Sequence, residues 1–531
     1  MNVGQLLANS ARRFPRRTAV SWGDERLTYS ELDRRANALA GGLARAGVGP
    51  GERVAVLMRN RPEALESMFA CFKGGYCLVP LNSRFTAEEV AFHVGDSGAR
   101  AVITDTEGAS VAVAAATAAL VIVAGPAPQV PGPAGHETVG HETVGYETVV
   151  AAGSGSPVAA DVDRDDLAWL FYTSGTTGQP KGAMLTHANL GFVTASWLAD
   201  LTPMDERDVT LHAAPLSHGA GFHALAATAR GAHQVILPHA SFDPAAVMDV
   251  LAREGVTNTW LVPTQIVMLV DHLGGQRPHL PDLRHVVYGG APFAPADLRQ
   301  AVETFGPVFV QLFAQGETPM TATVLPARDH AEALAGDRPQ RLASAGVARP
   351  GTDVRVLDST DRELPPGQVG EVCVRGGAVM LGYWNRPDAT AETLRNGWLH
   401  TGDVGRFDDH GYLYLLDRAK DMIISGGSNV YAVEVEAELA DHPDVQEVAV
   451  VGVEDRKWGE VVTAVVVPKD GADRALLVEE LSSLCAGRLA GYKRPRRYVL
   501  HGPLPRNAYG KVLKRDLRAE LAAGPDAGET A

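Results

Sequence analysis

The 531-residue sequence carries 48 basic against 63 acidic side chains, a formal net charge of −15, with 45% hydrophobic and 21% charged residues. That length exceeds one ordinary core, so at least two globular domains are expected, and the negative balance argues against a general nucleic-acid or anionic-membrane binder. The four cysteines, Cys71, Cys77, Cys373 and Cys485, form no C-x-x-C pair, which disfavours a disulfide framework or structural zinc and suits a reducing cytoplasm.

The opening M-N-V-G-Q-L-L-A-N-S-A-R-R has arginines but no apolar run behind them, unlike a secretory signal. Ser30 reads as an N-cap, with Leu32, Ala36, Leu39 and Leu43 on one helical face. A strand at 53–58, a helix at 62–72, a strand at 76–79, a helix at 86–94 and a strand at 101–103 follow. This alternation predicts a mostly parallel sheet covered on both faces. The Ala/Val/Ile/Leu stretch 111–124 is shorter than the ~20 residues of a spanning helix and reads as a buried helix entering a strand. Between Gly135 and Val149 the pentapeptides G-H-E-T-V, G-H-E-T-V and G-Y-E-T-V succeed one another amid prolines. They read as a low-complexity surface loop, because two histidines without further ligands make a poor metal site.

An apolar strand, Leu167 to Phe171, leads into Y-T-S-G-T-T-G-Q-P-K-G-A-M-L-T-H. Thr173, Ser174, Thr176 and Thr177 supply hydroxyls among Gly175, Gly178 and Gly182, and Lys181 adds a cation. Glycines let successive N–H groups converge on anionic oxygens, so the stretch reads as a phosphate-binding loop. Pro180 before Lys181 and Gly182 after it separate the stretch from the Walker pattern. Ala183 onward is predicted helical, which would set the loop near a helix N-terminus. Strands and helices alternate again to 313, short strands and turns fill 346–417, and a compact α+β text follows, ending in a basic helix at 511–521.

Further motifs accompany the loop: Ala214-Pro215-Leu216-Ser217-His218-Gly219-Ala220-Gly221, Gly289-Gly290-Ala291-Pro292, Gln311-Leu312-Phe313-Ala314-Gln315-Gly316-Glu317-Thr318, Trp398 to Asp403, Asp417 to Asp421, Ile424 to Tyr431, and Pro505 to Lys514. In this order they resemble the adenylate-forming (AMP-binding) superfamily, of the acyl-CoA synthetase or fatty-acid–CoA ligase type, from about Leu32 to Leu517. The resemblance implies an α/β fold. Its large N-terminal domain, 1–417, would hold mostly parallel βα-layered sheets plus a small antiparallel β subdomain at about 346–417. A small mobile α+β lid, 418–521, and a disordered tail, 522–531, would follow.

The implied activity joins a carboxylic acid to CoA through an acyl-adenylate, with ATP, Mg²⁺ and coenzyme A as cofactors. By resemblance the 173–178 loop and Lys181 hold the β- and γ-phosphates, 289–292 and 311–316 hold AMP, and Glu317 holds Mg²⁺. Asp403 and Arg418 would contact the ribose, and His218 the substrate carboxylate. Gly219, Ala220 and Gly221 would line the acyl pocket, Lys420 would be the hinge, and Ser425, Gly426 and Gly427 the CoA tunnel. Lys511 would be the catalytic lysine, and the basic run Lys493, Arg494, Arg496 and Arg497 would attract CoA phosphates. Gly219 stands where amino-acid-activating relatives carry an aspartate, which disfavours an amino-acid substrate. Phe313, Ala314 and Gly316 depart from the family's Tyr-Gly-x-Thr-Glu segment. Four other readings remain open at this point: a thioesterification-only enzyme using preformed acyl-AMP, a ligase loading a free-standing carrier protein, a luciferase-type oxygenase, and a nucleotide-binding sensor.

Overall fold

The computed structural model describes residues 2–115, 119–125, 143–173, 179–239, 241–291, 293–418, 421–425, 428–455, 458–507 and 512–522. Of the candidate site residues, Ser174, Gly175, Thr176, Thr177, Gly178, Pro292, Lys420, Gly426, Gly427 and Lys511 lie outside them, as do the Arg418 side chain, the start of the pentapeptide repeat and the C-terminal tail.

The alternation of strand and helix builds two large sheets. One has seven strands in the order Thr143–Gly145, Leu120–Ala124, Ala99–Asp105, Arg53–Leu57, Cys77–Leu81, Leu167–Thr173 and Lys181–Thr186. All its neighbours are parallel except the last pair. The second has nine strands, with a parallel centre formed by Val209–His212, His233–Ile236, Asn258–Leu261, His285–Tyr288 and Phe309–Gln315 and antiparallel edges. Helices Pro62–Gly74 and Gly219–Arg230 are buried along almost their whole length, which is why their sequences read as apolar all round rather than as one stripe. Two charged residues are buried in the first of them: Lys73 is answered by Asp33 at 2.7 Å and by Asn37 Oδ1 at 2.8 Å, and Glu66 by Arg35 at 2.6 Å.

A five-stranded antiparallel sheet is made by Thr352–Leu357, Gly370–Gly376, Leu394–Arg395, Trp398–Phe407 and Leu413–Arg418. A second five-stranded sheet joins Ile423–Ser425, Ser428–Val430, Val445–Asp455, Gly459–Pro468 and Arg497–Leu500, with helices Ala432–Ala440, Arg474–Arg488 and Lys514–Ala522. No helix among the described residues is long and apolar enough to cross a membrane.

Three local expectations are corrected. The segment after Lys181 is not a helix: Lys181–Thr186 is a strand antiparallel to Leu167–Thr173, and the helix starts at His187. So short an apolar run fits either period, and cross-strand pairing decides. The first long helix is capped by Thr28, not Ser30, whose backbone is already helical; Thr28 and Glu31 form a reciprocal capping box. The end of the pentapeptide repeat is not loop: Tyr146–Ala152 is a helix, with Tyr146 buried and its hydroxyl donating to Glu66 at 2.8 Å.

Beneath the nine-stranded sheet lies a buried polar network. His223 Nε2 meets Asn258 Oδ1 at 2.7 Å, and His212 Nε2 meets Gln234 Oε1 at 3.0 Å. Burial pushes His187, His212, His218 and His330 down to about 4, and His223 well below its ordinary value. These rings are neutral in the fold and bind a proton on unfolding once pH falls below 6.5, so the stability they contribute is present above 6.5 and lost as pH falls toward 4. The melting temperature is expected to fall by about 5 °C or more between pH 6.5 and roughly 4.5 in scanning calorimetry; a flat profile there contradicts the assignment.

Candidate active site

Three sheets meet at the turn Gln315-Gly316-Glu317, which links strands Phe309–Gln315 and Thr318–Leu325. On one side Gln315 Nε2 donates to the Thr401 carbonyl at 2.8 Å and to Asp403 Oδ2 at 2.6 Å. On the other, Glu317 Oε1 accepts from Thr173 Oγ1 at 3.0 Å and from the Tyr383 hydroxyl at 2.7 Å. Glu317 and Asp403 are both buried, so each carboxylate depends on these donors for its solvation. Among the described residues, Glu317 Oε2 receives no hydrogen bond. A buried carboxylate with one oxygen engaged and one free fits a hard divalent cation accompanied by phosphate oxygens.

Thr173 and Lys181 face each other in register at the mouth of the hairpin, so hydroxyl and ammonium share one rim. Lys181 Nζ lies 5.2 Å from the centre of the Tyr383 ring. The segment 381–384 runs along the Lys181–Thr186 strand: Leu381 N donates to Met184 O, Met184 N to Gly382 O and Trp384 N to Gly182 O, at 2.8–2.9 Å. Asp403 is the register partner of Arg418, so the two expected ribose contacts occupy one rung of the antiparallel sheet.

Glycines at the site are there for close approach. A Cβ at Gly289 would stand 2.4 Å from the Leu312 carbonyl, and Gly290 has φ +81°. A Cβ at Gly316 would stand 2.4 Å from Thr173 Cγ2 and 2.6 Å from the Phe171 ring. The departure at 316 thus has a local cause, since neighbouring side chains fill the space that a larger residue would take. Of the other residues in this motif, Gln311 lies at hydrogen-bonding limit, 3.5 Å, from the Tyr288 hydroxyl, Leu312 is buried, and Phe313 and Ala314 are half-buried at the strand end. Ala291 is exposed just after the Gly289-Gly290 turn.

His218 precedes the helix Gly219–Arg230, its ring 4.8 Å from that of Phe171 and kept neutral by burial. The neighbouring small residues do not open a wide pocket. A Cβ at Gly219 would meet Trp260 Nε1 at 2.8 Å and Met320 Cε at 3.0 Å, while Gly221 lies against the Leu216 carbonyl and Trp169, and Ala220 is fully buried. Trp260 also reaches Gly289, whose Cβ would lie 3.2 Å from its Cη2. Met320 holds φ 60°, and its carbonyl accepts from the buried guanidinium of Arg349, which also pairs with Asp200. Trp260, Met320, Phe171 and Tyr383 were not singled out by sequence; each is an ordinary apolar residue in its own strand or loop.

Away from this centre, Ser425 is buried and pairs with Ser428 and Gly459. In the basic run, Lys493 is bound to Glu434 at 2.6 Å, Arg494 donates to the Leu489 carbonyl, and Arg496 lies over Trp458, so this run is largely engaged within the protein.

The AMP-binding enzyme family model matches residues 7–384, and that of the AMP-binding enzyme C-terminal domain matches 434–511. A feruloyl-CoA synthase from an Amycolatopsis species is 41% identical over 97% of this chain and 98% of its own. A medium/long-chain-fatty-acid–CoA ligase, FadD8 of Mycobacterium tuberculosis, is 34% identical over 98% and 90%. The solved structure of the o-succinylbenzoate CoA synthetase of Bacillus subtilis, in complex with its acyl-adenylate intermediate, superposes with a TM-score of 0.84 at 30% identity, covering 99% of each chain.

Substituting Gly316→Ala is expected to lower stability by roughly 1–3 kcal/mol in denaturant titration, through overpacking against Thr173 and Phe171. An unchanged midpoint would show that the turn has room.

Proposed function

The chain belongs to the AMP-binding, adenylate-forming enzymes, and from that premise we propose which of its residues act and which acid it takes. It is an AMP-forming acid–CoA ligase. A carboxylate oxygen bonds to the α-phosphorus of ATP as the bond to pyrophosphate breaks. The CoA sulfur then bonds to the acyl carbon as the bond to AMP breaks, and the thiol proton leaves to solvent. The observation that carries the assignment of roles is the Gln315-Gly316-Glu317 turn, which touches Asp403 on one side and the Thr173–Lys181 rim on the other. On this proposal one turn serves both ends of the nucleotide.

In this reading Gly289 and Gly290 lay backbone against adenine, Asp403 and Arg418 hold the ribose, and Lys181 with the hydroxyls of 174–177 holds the β- and γ-phosphates, while the Thr173 hydroxyl is committed to Glu317. Glu317 Oε2 would hold Mg²⁺, which when bound offsets charge on the departing pyrophosphate. His218, neutral at working pH, orients the acid by hydrogen bonding. Lys511 reaches the carboxylate and α-phosphate in the first step. Rotation of the part beyond Asp417 about Lys420 then brings Ser425, Gly426 and Gly427 to the acyl-adenylate. The crowding around Gly316 explains the glycine without restoring the absent hydroxyl; it is the CoA-ligase relatives that favour the complete two-step reaction over a thioesterification-only enzyme. We place the protein in the cytoplasm, in keeping with four buried free thiols.

For the acid we propose a compact aromatic one of the hydroxycinnamate kind. Two things support it: greater identity to the feruloyl-CoA synthase than to the fatty-acid ligase, and the aromatic wall that Trp260 and Phe171 set beside Gly219 and His218. Acyl-CoA formation from ferulate is expected to exceed that from a long-chain fatty acid by about tenfold or more in kcat/KM; the reverse order rejects the substrate class. Lys511→Ala is expected to lower ATP–pyrophosphate exchange by about a hundredfold or more while thioester formation from synthetic acyl-adenylate persists; equal loss in both rejects the assignment of Lys511 to the first step.

A further inference from the structure

Tyr383 lies outside every motif that suggests the chemistry, yet it touches both charged groups at the phosphate end. Its hydroxyl donates to Glu317 Oε1 at 2.7 Å, and its ring lies under Lys181 Nζ at 5.2 Å. Its own position is fixed from two directions. Its backbone N donates to Thr390 Oγ1 at 2.9 Å, and its neighbours Gly382 and Trp384 are hydrogen-bonded to the strand that carries Lys181. Tyr383 is buried, so hydroxyl and ring are held without competition from water.

We propose that Tyr383 is a positioning residue for the adenylation step, aiming Glu317 through its hydroxyl and Lys181 through its ring. The proposal rests on the ATP-dependent reading above. Glu317 has rotatable bonds enough to turn either oxygen toward the nucleotide, and the loss of that freedom must be offset before the ligand arrives. Two neutral donors on Oε1, from Thr173 and Tyr383, select one rotamer and leave Oε2 for a cation. The aromatic face under Lys181 does the corresponding work for the ammonium: it attracts the charge without taking up its three N–H donors. The tyrosine thus presents an oxygen and an ammonium to opposite signs of charge on one metal–triphosphate, and a phenylalanine would present only the second.

The two half-reactions separate this role from mere packing, because thioester formation from a ready-made acyl-adenylate uses neither the β/γ-phosphates nor their metal. Tyr383→Phe keeps the ring and volume and removes only the hydroxyl. It is expected to weaken Mn²⁺ binding in the presence of a non-hydrolysable ATP analogue by about tenfold, read by the free-Mn²⁺ spin-resonance signal of the full-length protein. ATP–pyrophosphate exchange should fall by about ten- to a hundredfold, with a raised Mg²⁺ requirement. CoA consumption from synthetic acyl-adenylate should stay within about twofold of the original enzyme. Thr173→Val, which removes the other donor, should give the same pattern, and Tyr383→Leu, which also removes the ring, should weaken binding of the ATP analogue further. An unaltered metal affinity in Tyr383→Phe, or an equal fall in both half-reactions, overturns the proposal. Absence of exchange in the unsubstituted enzyme would instead count against the ligase reading itself.

Discussion

The carboxylate of Glu317, buried at the meeting of three sheets, is the constraint from which the rest of the centre follows. A buried carboxyl group in that position is tolerated only with donors in place, and those donors come from Thr173 in the seven-stranded sheet and from Tyr383 in the segment that runs along that sheet's edge strand. Satisfying one side chain therefore fixes the relative placement of elements separated by more than a hundred residues of sequence. The same turn passes through Gln315 to Asp403, so the registration extends to the five-stranded antiparallel sheet.

Polar satisfaction explains the shape of the scaffold behind it. Lys73 between Asp33 and Asn37, and Arg349 between Asp200 and the Met320 carbonyl, are buried cations that hold interior helices and strands in one arrangement. Apolar packing of similar volume would tolerate small slips; a buried guanidinium with several acceptors does not. Met320, held in the left-handed region beside Gly219, is placed by that network rather than by its own backbone preference.

Much of this was legible in the sequence, for reasons that can be stated. The alternating strands and helices were visible because a parallel strand buried on both faces is a continuous apolar run. Thr173 and Lys181 stood out because hydroxyls and an ammonium among glycines suit anionic oxygens, whereas Glu317 and Asp403 were found through the resemblance of their motifs to those of the AMP-binding family. What escaped was long-range or ambiguous. Nothing in G-Y-W-N-R shows that the Tyr383 hydroxyl meets a carboxylate 66 positions earlier in the chain. Nothing in T-N-T-W-L shows that Trp260 fills the space beside Gly219. The strand after Lys181 was misread as helix because its six residues are too few to reveal a period. The end of the pentapeptide repeat was misread because composition does not register that Tyr146 is buried.

Trp260 has a consequence for how this protein can diversify. Its indole leaves no room for a Cβ at Gly219 at one end and crowds one at Gly289 at the other, so, if those glycines border the acid and the adenine as proposed, a single ring is a party wall between two compartments. Any exchange there that enlarges one room also loosens the other, and a lineage drifting toward longer acids would have to repair its grip on the nucleotide as it went.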